Sequence, residues 1–363
     1  MNKAYKFRIY PNSEQKMLLA KTFGCVRFIY NRMLGDKIKY YEETKQKLSN
    51  TPAQYKAEFE WLREVDSLAL ANAQMNLQAA YNNFFRSPKT GFPKFKSKHK
   101  HQDSYTTNLV NGNIKLQDKY IILPKLKSVK IKQHRQMPQD YRLKSVTVSK
   151  TPSCKYFVSI LFEYDQNIQT IKAETFLGLD FSMKELYVAS DGEIASYPRY
   201  YRSALDKLVK EQRKLSKMQK GSNNRNKQRI RVAAIHEKIA NQRKDFLHKL
   251  SRQITNAYDA VCVENLDMKA MSQALNFGKS VSDNSWGMFT TFLGYKLAEQ
   301  GKQLIKIDKW FPSSKTCSCC GTVKKELTLS ERIYRCESCG AIIDRDLNAA
   351  INIRNEGMHL AST

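Results

Sequence analysis

Apolar and polar side chains alternate at the start of the chain, where KAYKFRIYP predicts a β-strand that ends at Pro11. The next stretch, NSEQKMLLAKTFGCVRFIYNRMLGDKIKYYEE, has apolar residues at helical spacing behind an Asn-Ser pair that can cap a helix. A further helical pattern, SLALANAQMNLQAAYNNFFRS, begins at Asp66 and Ser67, either of which can act as its cap. We therefore predict a helical insertion over residues 12–104, which ends in a basic loop at 88–104.

From residue 105 to about residue 166 the pattern changes to short alternating runs separated by turn residues. YTTNLVNGNIKLQDKYIILPKLKSVKIK and YRLKSVTVSKTPSCKYFVSILFEY are typical of strands in a barrel or a sandwich. The first strand of the chain can join them. We expect an N-terminal β-barrel made of residues 1–11 and 105–170, interrupted by the helical insertion, so that the whole chain is a multidomain α+β protein.

A second region with both strands and helices is predicted from residue 171 onward. TFLGLDFSMKELYVASDGE predicts two strands, and AYDAVCVENLDM and QLIKIDKWFP predict one strand each. Residues 199–258 predict a helical hairpin that breaks at KGSNNRNK, and SWGMFTTFLGYKLAEQGK and DRDLNAAINIRNEG predict two further helices. The expected domain covers residues 171–311 and 340–363, with a cysteine-rich insertion at 312–339.

Composition changes this picture mainly through charge. The 363 residues suffice for two or three domains, and 41% hydrophobic residues suffice for buried cores. The formal net charge is +28, from 62 Lys and Arg against 34 Asp and Glu. A charge this large bears on binding partners rather than on fold, and a polyanion is the leading candidate. The alternative is a basic protein whose charge serves only solubility.

The sequence also indicates where in the cell the protein is expected. Its apolar runs fall far short of the ~18 residues that a membrane span needs. The N-terminus, MNKAYKFRIYP, carries charge but no apolar segment of the kind found in secretion signals. We expect no membrane partner and a cytoplasmic location, where disulfides are rare.

Four cysteines form two C-x2-C pairs separated by 15 residues, the spacing of a zinc ribbon: Cys317, Cys320, Cys336 and Cys339. A glycine directly after each pair can take the positive φ that a tight turn needs. Four thiolates fill the tetrahedral shell of Zn²⁺ and leave no open position, so the ion would be structural. The alternatives are a disulfide or a redox pair, and Cys319 is either a bystander or a competitor of Cys320.

Acidic residues end two apolar strands and open the last helix: Asp180 in FLGLDFS, Glu264 in AVCVENLD, and Asp344 and Asp346 in DRDLNAA. A carboxylate that ends a buried strand is costly unless its charge is compensated. Three converging acids would bind Mg²⁺ or Mn²⁺, and two such ions ~4 Å apart can promote phosphodiester hydrolysis. The order of strand Asp, strand Glu and helix Asp is that of an RNase H-like fold. Taken singly, each acid could instead be a surface residue or a helix cap, as Asp346 could be.

Several motifs, in this order, resemble those of the TnpB family: GLDFS, VENLDM, WFPSSKTCSCCG, CESCG and DRDLNAAINI, with YKFRIYPN, CVRFIYN and NFFRSPKTGFPKFKSK in the N-terminal half. Members of this family are nucleases of small bacterial and archaeal insertion sequences, related to type V CRISPR effectors. The resemblance implies a RuvC-like nuclease domain with the triad Asp180, Glu264 and Asp346, and Asp344 as a supporting neighbour. It also implies a guide RNA made from the transposon end. Double-stranded DNA would be cleaved beside a short transposon-adjacent motif. The tail after Asp346 is shorter than in some relatives, which leaves the role of the last helix open.

Basic and amide side chains are the candidate nucleic-acid contacts. Residues 202–249 hold 15 Lys and Arg against 4 Asp and Glu, which suits the backbone of an RNA–DNA heteroduplex. The candidates there are Arg202, Lys207, Lys210, Arg213, Lys214, Arg229 and Arg243. The loop GFPKFKSKHKHQDSYTTN adds Lys94, Lys96 and Tyr105 for phosphate contact and stacking, and Asn72 and Gln74 could read a base edge. For residues 202–249 the alternative is a solvated charged face, and for the loop it is an ordinary exposed loop. Asn72 and Gln74 could instead face solvent or pack near the core.

These observations lead us to expect an RNA-guided DNA endonuclease that uses Mg²⁺ or Mn²⁺ and contains Zn²⁺. One alternative is an RNA-guided DNA-binding repressor, which loss of one carboxylate would have favoured. Another is a transposase or transposase accessory protein, but the one His-x-His motif, at His99 and His101, lies in a basic loop. An unguided RNase H-like nuclease is the third, and it differs in not needing RNA for cleavage.

Overall fold

The computed structural model describes residues 1–87, 89–98, 103–138, 140–273, 285–328 and 330–362. His99 and His101 lie outside these ranges. The chain divides into two compact units, Met1–Gln166 and Asn167–Thr363. Within the described ranges, no helix combines the length and the apolar character that crossing a membrane requires.

The first unit contains the predicted strand, helices and later strands in the expected order. Its elements are β1 (Asn2–Tyr10), α1 (Ser13–Thr44), α2 (Tyr55–Glu58), a short 3-10 helix (Glu60–Glu64), α3 (Ser67–Arg86), β2 (Asp103–Asn108), β3 (Lys115–Gln117), β4 (Tyr120–Leu123), β5 (Lys127–Lys132), β6 (Arg142–Lys150) and β7 (Tyr156–Glu163).

One antiparallel sheet forms the β part of this unit, in the strand order β2-β6-β7-β1-β5-β4-β3. Strand β1 lies in the middle and pairs with β5 and β7, which confirms that the first strand joins the later ones. All the described strands of the unit belong to this one sheet, so the two-sheet sandwich is wrong. Alternate residues of β1, Phe7 and Ile9, enter a core shared with α1 and α3.

Local capping explains where the two long helices of this unit begin. Asn12 and Gln15 form a reciprocal capping box at α1, in which the Asn12 Oδ1 accepts from the Gln15 amide at 2.8 Å. The Asp66 side chain accepts from the Leu68 amide at 3.0 Å and caps α3. In each case the cap is the first of the two adjacent candidates that the sequence offers.

The second unit contains β8 (Phe176–Phe181), β9 (Tyr187–Ala189), α4 (Tyr200–Ser203), α5 (Leu205–Lys217), α6 (Asn223–Ala257), β10 (Ala260–Glu264), α7 (Met268–Gln273), α8 (Trp286–Ala298), β11 (Gln303–Ile307), β12 (Ile333–Arg335), β13 (Ile342–Asp344) and α9 (Arg345–Ser362). The helical hairpin is confirmed as α5 and α6. Ser222 caps α6, and the buried Gln228 amide donates to the Glu211 carbonyl oxygen at 3.0 Å across the hairpin.

The main sheet of this unit has the order β11-β10-β8-β9. Strands β8, β10 and β11 are parallel, and β9 is antiparallel to β8. One face packs on α6 and α8, while Cys262 and Ile353 meet on the other face, where α9 lies. Because parallel strands end at the same edge, the carboxyl ends of β8 and β10 lie side by side.

Candidate active site and cysteine cluster

Two acidic residues lie side by side on neighbouring strands at this edge of the sheet. Leu179 of β8 pairs with Val263 of β10, so the next residues, Asp180 and Glu264, are neighbours. Leu179 and Val263 belong to the core with α6 and α8. Since side chains alternate along a strand, Asp180 and Glu264 face the opposite side, on which α9 packs.

Helix α9 approaches β8 closely because Gly178 has no side chain. A methyl group at Gly178 would collide with the carbonyl oxygen of Ala350 and with the backbone of Arg354. Asp346 lies about one helical turn before Ala350. The close contact at Gly178 therefore brings Asp346 to the edge that carries Asp180.

Asp180 lies within electrostatic reach of both Glu264 and Asp346. Burial, followed by the negative charges of Glu264 and Asp346, raises the pKa of Asp180 well above its ordinary value, and Arg345 partly offsets this. Burial also raises the pKa of Glu264. In the part of the chain that the structure describes, only the cysteines gather ligand atoms within 4.8 Å of one another, so the carboxyl oxygens are grouped more loosely. Acids held together in this way favour a bound cation.

Asp344 and Asp346 have different surroundings. Asp344 Oδ1 accepts from the backbone amides of Asp346 and Leu347 at 2.9 and 3.0 Å, so Asp344 caps α9. The sequence-based alternative that Asp346 is the cap is therefore wrong. The Asp346 carboxylate instead lies 3.5 Å from Arg345 Nε, and its charge acts on Asp180.

Three polar residues near the site were missed by the sequence analysis. Ser313 Oγ donates to Glu264 Oε1 at 2.6 Å. The buried Asn352 of α9 donates to the carbonyl oxygens of Ser313 and Thr316 at 2.8 and 2.7 Å. The buried Asn348 accepts from the Ser318 amide at 2.9 Å. Helix α9 thus holds the loop before the first cysteine pair, and that loop contacts Glu264. Two asparagines at i and i+4 within NAAIN were the available signal.

The four predicted cysteines form one cluster, with all four sulfur atoms within 4.8 Å of one another. The Cys317 and Cys339 sulfurs are 3.7 Å apart, and those of Cys320 and Cys336 are 3.6 Å apart. Zinc–sulfur bonds of about 2.3 Å in a tetrahedron require sulfurs about 3.8 Å apart, so the cluster fits Zn²⁺. Cys319 is exposed and lies outside it.

The backbone around each cysteine pair forms a tight turn. The amides of Gly321 and Gly340 donate to the carbonyl oxygens of Cys317 and Cys336 at 2.9 and 3.0 Å, and both glycines have positive φ, 77° and 74°. Hydrogen bonding with Thr322 lowers the pKa of the Cys320 thiol, whereas, against the lowering effect of the Ala341 amide, hydrogen bonding with Cys320 and Cys336 raises the pKa of Cys339. The short β12–β13 pair completes the insertion and leads directly into Asp344.

Several candidate nucleic-acid contacts are corrected by the structure. Tyr105 is buried against Phe23, so its ring is a core residue and not a stacking surface. Asn72 is buried, and its amide donates to the Leu68 carbonyl oxygen of the preceding helical turn at 2.9 Å. Gln74 donates to the Asn50 carbonyl oxygen at 3.2 Å. These side chains satisfy the protein's own polar groups, which argues against base reading.

The basic candidates lie on surfaces. On α4 and α5, five of them are exposed: Arg202, Lys207, Lys210, Arg213 and Lys214. Arg229 and Arg243 of α6 are half-buried. Lys94 is exposed, whereas the Lys96 ammonium lies 4.0 Å from the centroid of the Tyr30 ring.

Comparison with known proteins identifies the family. A family model described as "Probable transposase" matches residues 159–275, a "Cas12f1-like, TNB domain" matches 286–353, and a "Helix-turn-helix domain" matches 1–46, which fold here as β1 and the long helix α1. A protein of Streptomyces pristinaespiralis, named as a proposed RNA-guided DNA endonuclease, is 35% identical over 371 residues, covering 99% of this chain and 90% of the relative. The chain belongs to the TnpB family.

Other members and solved structures agree with this assignment. An Escherichia coli K12 relative, InsQ, also named as a proposed RNA-guided DNA endonuclease, is 29% identical and covers 98% of this chain and 92% of its own length. The mimivirus TnpB-like protein L79 is 31% identical over 163 residues, 42% of this chain and 29% of the relative. The fold resembles Cas12f1 in a complex with sgRNA and target DNA, with a TM-score of 0.60, 13% identity and coverage of 98% and 99% of the two chains.

Proposed function

We propose that this TnpB protein is an RNA-guided DNA endonuclease of an insertion sequence that cleaves DNA beside a short transposon-adjacent motif. The observation that carries the proposal is the meeting of Asp180, Glu264 and Asp346 at one edge of a sheet. Relatives that cover nearly the whole chain carry names with the same activity. DNA and guide RNA are both made inside the cell, so the proposed activity is intracellular.

The second unit supports a RuvC-like reading of the fold. Asp180 is the last residue but one of β8, and Glu264 ends the parallel strand β10. Strand β9 is antiparallel to β8, and Asp346 at the start of α9 acts electrostatically on Asp180. In this reading residues 171–311 and 340–363 form the nuclease domain and 312–339 form the zinc ribbon. In the first unit, the seven-stranded sheet would be a barrel-like domain of residues 1–11 and 105–170 that holds guide RNA, with 12–104 as the recognition insertion.

The acids suit Mg²⁺ or Mn²⁺ because carboxylate oxygens are the ligands that these hard cations prefer. Asp180, Glu264 and Asp346 would hold the ions, which when bound supply an activated water and stabilise the leaving oxygen. Ser313 occupies one oxygen of Glu264, which fixes the carboxylate's orientation and leaves its second oxygen for a ligand. Asp344 holds the start of α9 and thereby the position of Asp346.

The cysteine cluster would hold a structural Zn²⁺ and stabilise the loop that contacts Glu264. Cys317 begins the first turn directly after Thr316, whose carbonyl oxygen accepts from both Asn348 and Asn352. The metal-binding turn would thus stabilise the loop beside the acids, which accounts for its place directly before Asp344 and Asp346 in the sequence. Replacing Cys336 with Ser should remove zinc from the purified protein, and unchanged zinc content would reject the ribbon.

The nucleic-acid surface in this proposal is the basic hairpin of α4, α5 and α6. Its exposed cations would neutralise phosphates of a guide RNA–DNA heteroduplex without reading sequence, because base pairing supplies the specificity. The repressor alternative is disfavoured because all three acids are present and neighbours. An unguided nuclease would bind DNA with the same surface and would differ only in its need for RNA.

The experiment that tests the proposal is purification of the expressed protein followed by sequencing of any RNA that comes with it. A single discrete RNA encoded beside the protein's own gene is expected, and DNA matching its guide segment should be cleaved in Mg²⁺. The Glu264→Gln protein should retain the RNA and fail to cleave. Recovery of no RNA, or of a random cellular mixture, would contradict the guided function.

A further inference from the structure

Trp310 is the most exposed of the large apolar side chains in the described residues, at 80%. Single exposed apolar residues are common on protein surfaces and by themselves mean little. An indole left almost entirely in water is unusual, however, because tryptophan is highly buried on average. The two other tryptophans, Trp61 and Trp286, are 42% and 2% exposed.

The loop that carries Trp310 is tied to Glu264 on both sides. Before the loop, Ile307 pairs with Glu264 across β10 and β11. After it, Ser313 donates to the Glu264 carboxylate at 2.6 Å. Trp310 is three residues from each of these contacts, and a chain spans at most about 3.5 Å per residue. Its Cα therefore lies within about 11 Å of the Cα atoms of both Ile307 and Ser313.

Local contacts hold this loop in shape. The Trp310 amide donates to Asp308 Oδ1 at 2.7 Å, and the Ser313 amide donates to the Phe311 carbonyl oxygen at 2.8 Å. Phe311 packs on the small core of Cys262, Ile307 and Ile353. The ring at 311 is thus partly buried while its neighbour at 310 is left in solvent, so the exposure of Trp310 is part of an ordered loop.

The chemistry beside the indole suits a nucleotide. Lys309 Nζ lies 4.7 Å from the centroid of the Trp310 ring, which places a cation next to an aromatic face. A base stacks on such a face whatever its identity, and a nearby ammonium attracts the phosphate that follows it.

We propose that Trp310 is a stacking platform for an unpaired nucleobase of the DNA strand held at the carboxylates, with Lys309 beside its phosphate. The inference rests on the proposed nuclease function and adds a contact to it. Stacking would fix the strand on one side of the scissile phosphate without any preference for sequence. This suits a protein whose specificity comes from base pairing.

The first test measures binding without turnover, with Ca²⁺ in place of Mg²⁺ and a fluorescently labelled single-stranded thymidine oligonucleotide as the probe. Trp310→Ala should weaken affinity by about 5- to 150-fold, the range reported by alanine substitution at stacking residues. Trp310→Phe keeps an aromatic face and should stay within about threefold of the wild type, on the same stacking argument. Ile194→Ala, which removes an apolar side chain that is 58% exposed and to which no nucleic-acid contact is assigned, is the control and should have no effect.

The second test reads the indole directly. In a Trp61→Phe protein the remaining tryptophans are the buried Trp286 and the exposed Trp310. Adding the oligonucleotide should quench and shift their emission, and the further change Trp310→Phe should abolish the response. This measurement needs no comparison of affinities, so it stands even if Trp310→Ala folds poorly.

The outcomes distinguish the stacking role of Trp310 from the nuclease function on which that role rests. Wild-type affinity in Trp310→Ala, or unquenched emission from a protein that binds the oligonucleotide, would overturn the stacking role and leave the nuclease proposal intact. Failure of the wild-type protein to bind single-stranded DNA at all would count against both. Weakened binding in Trp310→Ala, together with rescue by Trp310→Phe and quenching, supports the platform.

Discussion

Asp344 and Asp346 show how two acids of one short motif divide between structure and chemistry. Asp344 uses a carboxylate oxygen to bind the first amides of α9, so its charge is stabilised by backbone donors. Asp346 instead acts through its charge on Asp180, whose pKa it helps to raise. Both residues were recognised from the sequence as candidates. The sequence could not show which of them caps the helix, because a side chain at either position can reach the amides of the first helical turn.

This division predicts a contrast between variants. Asp344→Ala should lower the free energy of unfolding by about 1 kcal/mol through loss of the cap, whereas Asp344→Asn, which caps equally well, should be near neutral. Asp346→Asn should lower the cleavage rate by about 100-fold or more, since loss of even an outer-shell partner costs about 10- to 100-fold. Denaturant unfolding and a cleavage time course measure the two quantities. Equal loss of cleavage in Asp344→Asn and Asp346→Asn would contradict the assignment.

The raised pKa of Asp180 predicts how pH acts on the metal-free protein. A carboxyl group whose pKa is higher in the folded state stabilises the fold below its unfolded pKa, and this contribution is lost as pH rises through the folded pKa. The thermal midpoint without divalent ions should therefore fall as pH rises across the acidic to neutral range. Mg²⁺ should restore it, more at about pH 8 than at about pH 5, because only the ionised acid binds metal.

The matched control for this experiment is Asp180→Asn, which keeps the shape and removes the titration. Its thermal midpoint should depend less on pH, and its gain from Mg²⁺ should be smaller at every pH. Because the other titrating groups are the same in both proteins, subtracting one thermal midpoint from the other at each pH cancels their contributions. An identical gain from Mg²⁺ in both proteins would show that the ion binds elsewhere.

Prediction from the sequence failed for individual side chains whose burial depends on tertiary contacts. Tyr105 follows a basic loop and Asn72 lies on a polar-looking helix, yet both are buried. An amide at a helical position satisfies the carbonyl oxygen one turn earlier when no water is present, as Asn72 does with Leu68. Exposed cations such as Lys207 were easier to predict, because a charge is rarely buried without a partner.

At the scale of elements, periodicity predicted most strands and helices, including the strand acids Asp180 and Glu264. It could not predict the sheet order, which sets β10 between β8 and β11 and makes the two acids neighbours. It also missed that Gly178 allows α9 to touch β8. Glycine inside an apolar strand pattern can mark a close backbone approach, but the sequence does not say to which element.

The loop between β11 and the first cysteine pair connects these elements, and Ser313 is its contact with the site. Ser313→Ala should reduce affinity for Mg²⁺ or Mn²⁺ by about 10- to 100-fold, because ligating carboxylates depend on such hydrogen bonds for orientation. Zinc content should not change, since no cysteine is altered. Calorimetric titration of the metal-stripped acidic site and metal analysis of zinc measure the two effects.

Ser314→Ala is the neighbouring control, which changes a serine of the same loop and leaves the hydrogen bond to Glu264 in place. It should bind Mg²⁺ as the wild type does. If both variants lose affinity equally, the loop as a whole is responsible and Ser313 has no specific role.

For the molecule as a whole, the excess of basic residues was the most informative sequence property. It indicated a polyanionic partner, in agreement with the names of the relatives, although charge alone says nothing about fold. The motifs supplied the family, and the division into Met1–Gln166 and Asn167–Thr363 follows the change from the antiparallel to the mainly parallel sheet. Neither charge nor motif indicates which basic residues meet a phosphate.

The salt dependence of DNA binding can show whether the basic residues of the hairpin contact phosphates. Each phosphate neutralised adds about 0.9 to the slope of log affinity against log salt concentration for duplex DNA, because a condensed counterion is released. Changing Lys207, Lys210 and Arg213 together to Gln should therefore reduce the slope for target DNA by about 2 to 3 in the RNA-loaded protein, and weaken binding about equally for every guide-matched sequence. A control with the same change in net charge replaces the exposed Lys325, Arg332 and Arg335 in the cysteine-rich insertion, to which no nucleic-acid contact is assigned. If both triple variants lower the slope equally, net charge alone attracts the DNA, and the hairpin is a solvated face after all.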